Sequence, residues 1–167
     1  MCSHIMIFGL FHQDDLMDKT SLRWAKVSDA QAIAILELSS AKYEHRRQPL
    51  DFTAAEFTEI WQERIRSYQY QTILCERQGI LLGFLSFYRQ VKRGEICCLY
   101  IDPEYFRQGI GRRLIRAASL LVSRLQGKCL KVDVEVLNFG AQAFYKELHF
   151  RALGVKLSHL IEMKKEL

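Results

Sequence analysis

Residues 95 to 126 constrain the fold of this chain more than any other segment. The apolar run Glu95-Ile96-Cys97-Cys98-Leu99-Tyr100-Ile101 has strand character and stops at Asp102-Pro103. A short loop, Arg107-Gln108-Gly109-Ile110-Gly111-Arg112, then leads into a helical stretch with Leu114, Ala118, Leu121 and Leu125 on one side and Gly127 as the expected C-cap. Two glycines at alternate positions keep side chains away from the backbone amides. Amides at the positive end of a helix form an anion site, and a diphosphate suits such a site. Arg107, Arg112 and Arg113 add charge-assisted donors. A lone G-x-G carries little information, because ordinary turns use glycine too. The order strand, Asp-Pro, loop, glycine pair, helix is what points to a phosphate cradle. Leu114 stands where a dinucleotide-binding fingerprint wants its next glycine, and no Gly-Lys-Ser/Thr follows as a P-loop requires.

The rest of the chain supplies elements to surround this unit. Leu22 to Val27 alternates as a first strand, and Ser28 with Gln31 reads as a capping box for a helix running to about Ala41. Residues 42 to 50 read as a polar loop. Thr53 opens a second helix with Phe57, Ile60, Trp61 and Ile65 at helical spacing. Strands follow at 72–76, 80–88 and 95–101, then at Leu130 to Val136, where Leu130, Val132, Val134 and Val136 alternate with charged residues. Ala141 to Leu148 reads as a helix and 152–166 as a final pair of strands. At 167 residues this is one mixed α/β layer domain, expected to span 21–167 after an extension of residues 1–20. That extension lacks a basic start and a small-residue cleavage site, so it reads as a poor signal peptide, and its apolar run Ile5 to Phe11 reads as far too short to span a membrane.

Charge and cysteines narrow the class. The net charge of +5 is spread over short pairs such as Arg46-Arg47 and Lys164-Lys165, and no aromatic-basic repeat accompanies it. A nucleic-acid partner is therefore not expected, and Arg112, Arg113 and Arg116 have a better use near phosphate. Five cysteines without metal-ligand spacing argue against both a metal site and a disulfide framework. The adjacent Cys97 and Cys98 read as small buried hydrophobes on opposite strand faces, in a reducing compartment, the cytoplasm. Neither has a histidine or basic activator nearby in sequence, so a cysteine nucleophile is a minor reading.

The cradle has a second motif downstream. Asn138-x-x-Ala141-x-x-Phe144-Tyr145-x-x-x-x-Phe150 follows it at a fitting separation, and Arg23-x-Ala25-x-x-x-Ser28-Asp29-Ala30 precedes it. From about Leu22 to the end the chain resembles the GNAT superfamily of N-acetyltransferases. The resemblance implies a mostly antiparallel mixed sheet, flanked by helices and splayed between two central strands. It implies acetyl-CoA as cosubstrate, with no metal, and direct attack by a primary amine in a ternary complex. Leu99, Tyr100 and Ile101 would pair with the pantetheine arm, and Arg107, Gln108, Gly109, Ile110, Gly111 and Arg112 would hold the pyrophosphate. Asn138 would bind pantetheine or cap the following helix. Tyr145 would contact the cofactor as general acid toward the thiolate, and Glu95 is the leading candidate for general base.

Tyr43, Glu44 and His45, in the loop expected after the first helix, would wall the acceptor site. The acceptor would be an amine-bearing small molecule or a protein or peptide, with no membrane partner, and homodimers are common in the family. A non-catalytic acyl-CoA-binding or regulatory module is the alternative, keeping the cradle without acid or base. Two departures stand out: Phe106 occupies the position expected to hold Gln or Arg, and His149 the position expected to hold Gly. The first leaves the cradle to rest on backbone amides, and the second predicts a different backbone conformation at that helix end.

Overall fold

A computed structural model describes residues 20–44, 53–67 and 69–167, with backbone alone at 41–44. The expected extension therefore lies outside the described residues, apart from Thr20, which already belongs to the first strand. In chain order the elements are β1 (Thr20–Trp24), α1 (Ala30–Glu44), α2 (Ala54–Arg66), β2 (Tyr70–Arg77), β3 (Ile80–Gln90) and β4 (Arg93–Ile101). They continue with α3 (Ile110–Arg124), β5 (Cys129–Glu135), α4 (Phe139–Glu147), β6 (Arg151–Leu157) and β7 (Leu160–Glu166). Among them no helix is long and apolar enough to cross a membrane.

The seven strands form one sheet in the order β1-β2-β3-β4-β5-β7-β6. Every neighbouring pair is antiparallel except β4 and β5. Strand alternation divides the side chains between two cores. Ile73, Leu85, Phe87, Ile96, Leu130, Val132 and Val134 meet α3 and α4 on one face. Leu74 and Phe84 meet Ala30, Ile33, Ala34 and Trp61 of α1 and α2 on the other. The central strands are apolar on both sides because both faces are covered. Helix α3 contributes Ile110, Leu114, Ile115, Ala118, Leu121 and Val122, a recurrence set by 3.6 residues per turn.

Several local expectations are corrected. Ser28 and Gln31 do not cap α1. The chain enters through a 3-10 turn at Val27–Asp29, and the Asp29 carboxylate accepts the Lys26 amide at 2.7 Å. Residues 42 to 44, expected in a loop, continue α1. Thr53 does cap α2: it accepts the Glu56 amide at 3.3 Å, and the Glu56 carboxylate accepts the Thr53 amide at 2.7 Å. Of the apolar α2 positions, Trp61 is buried and Ile60 is exposed. After α3 the left-handed residue is Gln126, with φ 61°, and not Gly127. At the end of α4, His149 takes φ 66°. Its amide donates to the Lys146 carbonyl, and the Phe150 amide donates to that of Tyr145, both at 3.0 Å. This is a Schellman motif, so His149 keeps the left-handed conformation a glycine would adopt.

Candidate active site

The parallel pair β4–β5 sets the site. Its register runs from Arg93 opposite Cys129 to Ile96 opposite Val132 and stops there. Beyond that point β4 stays paired with β3, Cys98 opposite Ser86 through Ile101 opposite Gly83, while β5 stays paired with β7. The two central strands therefore part like a fork. The cause is visible at Cys97. Phe87 faces Ile96 and Ser86 faces Cys98, so Cys97 is the extra residue of a β-bulge. A bulge bends and twists its strand, and this one falls on the residue where β4 leaves β5.

The bulge corrects the reading of the two cysteines. Cys97 is exposed and Cys98 half-buried; Cys75 and Cys129 are the buried ones. The Cys97 thiol lies 3.6 Å from the Glu95 carbonyl, and desolvation pushes it up to about 11. Burial pushes the Cys98 thiol up to about 12. Neither is an activated nucleophile at neutral pH.

Leu99, Tyr100 and Ile101 line one arm of the fork, beyond the last β4–β5 register pair. Leu99 and Ile101 pack toward α3, while Tyr100 packs toward α1 and α2, its ring 5.7 Å from that of Phe84. Ser40 of α1 donates to the Ile101 carbonyl at 3.3 Å. From Ile101 the chain passes through a 3-10 turn at Pro103–Tyr105 and reaches the start of α3. Gly109 stands there with φ 81° as N-cap, and no side chain caps the helix. Only the Arg113 amide is returned to the Gly109 carbonyl, at 3.0 Å. The amides of Ile110, Gly111 and Arg112 thus head a helix whose dipole favours an anion, which is the local chemistry a diphosphate needs.

The two glycines serve different ends. Gly109 is fixed by its left-handed φ. Gly111 is fixed by packing, since a Cβ there would lie 3.0 Å from the Phe144 ring. Arg107 (φ 62°) and Arg112 are exposed at this end. Arg112 is 3.8 Å from Glu147, and Gln108 donates to the Glu104 carbonyl at 3.5 Å. Arg113 is turned away to hydrogen-bond Thr20 of β1. Phe106 is partly exposed beside this loop.

The other arm ends at Asn138, the N-cap of α4, whose Oδ1 accepts the Ala141 amide at 2.9 Å. Tyr145 follows on α4, buried in the cluster that holds Leu99 and Ile101. Its ring lies 5.2 Å from Phe144 and 5.1 Å from Phe150, edge to face in both cases.

Glu95 sits at the closed base of the fork, opposite Lys131 on β5 and Tyr88 on β3. Gln90 Nε2 is 3.5 Å and Arg93 3.7 Å from its Oε2. Partial burial, followed by a hydrogen bond to Glu95, pushes the Tyr88 hydroxyl up to about 12.

The face beyond Glu95 holds residues that sequence reasoning missed. Trp61 Nε1 donates to the buried Glu37 carboxylate at 2.5 Å, and desolvation raises Glu37 above the usual carboxylate range. Arg64 lies over the Trp61 and Tyr70 rings, 5.0 and 5.7 Å from their centroids, and 4.0 Å from the Cys98 sulfur. These are contacts between α1, α2, β2 and β4; the helical spacing of Trp61 was the one available signal. His45 lies outside the described residues, as do the side chains of Tyr43 and Glu44.

Comparison with known proteins agrees with this arrangement. Residues 32–150 match the model of the acetyltransferase (GNAT) family. A Bacillus subtilis (strain 168) protein, provisionally named an alanine N-acetyltransferase of ribosomal protein bS18, is 25% identical over 115 residues, which is 65% of this chain and 76% of that protein. The PaiA N-acetyltransferase of Thermoplasma acidophilum, solved with coenzyme A, superposes with a TM-score of 0.75 at 19% identity, over 90% of this chain and 100% of that one. The ribosomal-protein-S18-alanine N-acetyltransferase of Escherichia coli gives 0.68 at 18% identity, over 88% and 93%.

Proposed function

From its membership of the acetyltransferase (GNAT) family, which makes this chain an acyltransferase, we propose that it moves an acetyl group from acetyl-CoA to a primary amine by direct attack in a ternary complex. The observation that carries this reading is the fork beyond Ile96 and Val132, opening beside the uncapped start of α3.

Acetyl-CoA, when bound, supplies the thioester whose acetyl group is transferred. In this reading the amides of Ile110, Gly111 and Arg112 hold its pyrophosphate, with Arg107, Gln108 and Gly109 shaping the approach. The main chain of Leu99, Tyr100 and Ile101 pairs with the pantetheine arm and offers N–H donors to the thioester carbonyl. Asn138 contributes its side-chain NH2, since its oxygen is committed to Ala141. Glu95 takes a proton from the acceptor ammonium at a carboxylate oxygen, and Tyr145 gives its hydroxyl proton to the departing thiolate. Tyr43, Glu44 and His45 remain the residues assigned to the acceptor wall. Relatives named for acetylating ribosomal protein S18 support a protein or peptide amine as acceptor.

The test is coenzyme A release with a panel of amines, including peptide N-termini. Tyr145→Phe should lower kcat by roughly 100-fold or more with little change in the KM for acetyl-CoA, and Glu95→Gln should remove the acidic limb of the pH–rate profile. Coenzyme A binding without turnover on every amine would instead identify a non-catalytic acyl-CoA-binding module.

A further inference from the structure

One charged group beside the fork has no part in the reaction above. Arg64 is half-buried on α2, and among the described residues no carboxylate forms an ion pair with it. Glu37, the buried carboxylate whose charge it feels, is bonded instead to Trp61 Nε1. Among the described residues, this partly desolvated guanidinium has no carboxylate bonded to it, and such a group favours an anion beside it.

The same side chain is held in place. Its guanidinium carbon lies over both the Trp61 and Tyr70 rings, so part of the ordering entropy an exposed arginine would lose on binding is lost already. Its Nη1 rests against Cys98, the first β4 residue after the bulge, on the face that α1 and α2 cover. Glu95 and Tyr88 belong to this face too, because Phe87 and Ile96, their neighbours in the ladder, point to the α3 core. A candidate base and a planar cation with no ion pair among the described residues therefore lie on one side of the sheet, where the strands begin to part.

We propose that Arg64 is the recognition group for a carboxylate on the amine acceptor, so that the preferred substrates are amines bearing a nearby carboxylate. The assignment rests on the acetyl-transfer reading of the same cleft. A guanidinium meets a carboxylate through two parallel N–H donors, which selects a planar anion over a neutral amide of the same shape. The carboxylate comes either from the α-carboxyl of a free amino acid or from an acidic side chain next to a peptide N-terminus.

Isosteric pairs decide it: alanine against alaninamide, and alanyl-glutamate amide against alanyl-glutamine amide. Each is titrated calorimetrically into the full chain saturated with coenzyme A, and each is assayed for kcat/KM with acetyl-CoA. The wild type should bind and turn over the carboxylate member of one pair on the order of 10-fold better or more. Which pair shows the difference names the source of the carboxylate. Arg64→Gln should bring that ratio close to one, and Arg64→Lys should keep part of it. The ratio is internal to each variant, so a general loss of stability does not imitate the effect, and the wild type with Arg64→Lys decides the matter if Arg64→Gln fails to fold. Equal binding of both members of both pairs, or a ratio untouched in the variants, would overturn the proposal. A carboxylate preference in binding with no acetyl transfer to any amine would support Arg64 and count against the transfer reading.

Discussion

His149 shows how a residue can depart from a motif without changing the backbone it sits on. A left-handed conformation at a non-glycine residue costs about 1 kcal/mol, and the Schellman bonds from His149 and Phe150 impose it all the same. His149→Gly should therefore raise stability by about 0.5–1 kcal/mol in denaturant melts, with acetyl-CoA affinity unchanged. The thiol at Cys97 gives a second outcome at this scale. The residue is exposed, yet desolvation pushes its thiol up to about 11. Its thiolate is scarce at pH 7.5 and grows about tenfold per pH unit toward that value. Peptide mapping after iodoacetamide should find Cys97 poorly labelled at pH 7.5 and increasingly labelled toward pH 10. Rapid labelling at neutral pH would contradict the assignment of an inert thiol. The cysteine pair was misread because alternation presumes a regular strand, and nothing in Glu95 to Ile101 marks which residue a bulge will displace.

Between elements, the decisive contact is that of α3 with α4. Gly111 lets the first turn of α3 rest on the Phe144 ring, and an added Cβ would approach that ring to 3.0 Å. Gly111→Ala should push the ring or the helix end aside. On the proposed reading it should raise the KM for acetyl-CoA several-fold, with a smaller effect on kcat, because the amides assigned to the pyrophosphate move while the groups assigned as acid and base do not. Sequence spacing located both glycines but not the packing of Gly111 on Phe144, which lies far along the chain. Capping was legible at Thr53, which opens α2 as read. It was misplaced at Ser28 because Asp29, held by Arg23, captures the Lys26 amide first.

Across the molecule, Arg23 ties the edge strand to the rest. It is bidentate to Asp29 at 2.7 and 2.9 Å and bonds Glu76 of β2 at 2.9 Å. That guanidinium holds the Asp29 carboxyl below its ordinary value near 4. A depressed carboxylate stabilises the fold above its unfolded value and stops doing so as pH falls through its folded one. Asp29→Asn should accordingly lower stability by about 1 kcal/mol at pH 7, a loss of a few degrees in Tm. The gap between variant and wild type should close in melts run at progressively lower pH, below 4. Periodicity foreshadowed most strand and helix positions, and the family resemblance foreshadowed the helix-flanked, mostly antiparallel sheet. The grouping of Glu37, Trp61 and Arg64 was not foreshadowed, since it depends on how α1 and α2 pack against each other on one face of the sheet.

The bulge at Cys97 also has an evolutionary consequence. Losing or gaining one residue in β4 would slide the parting of the strands by one residue's rise, about 3.3 Å, while α3, α4 and the glycine loop stay in register with their own neighbours. On the proposed reading, the opening assigned to the acceptor and the loop assigned to the nucleotide are thus separately heritable. A lineage can change what it acetylates by an indel in one strand without relearning how to hold its donor.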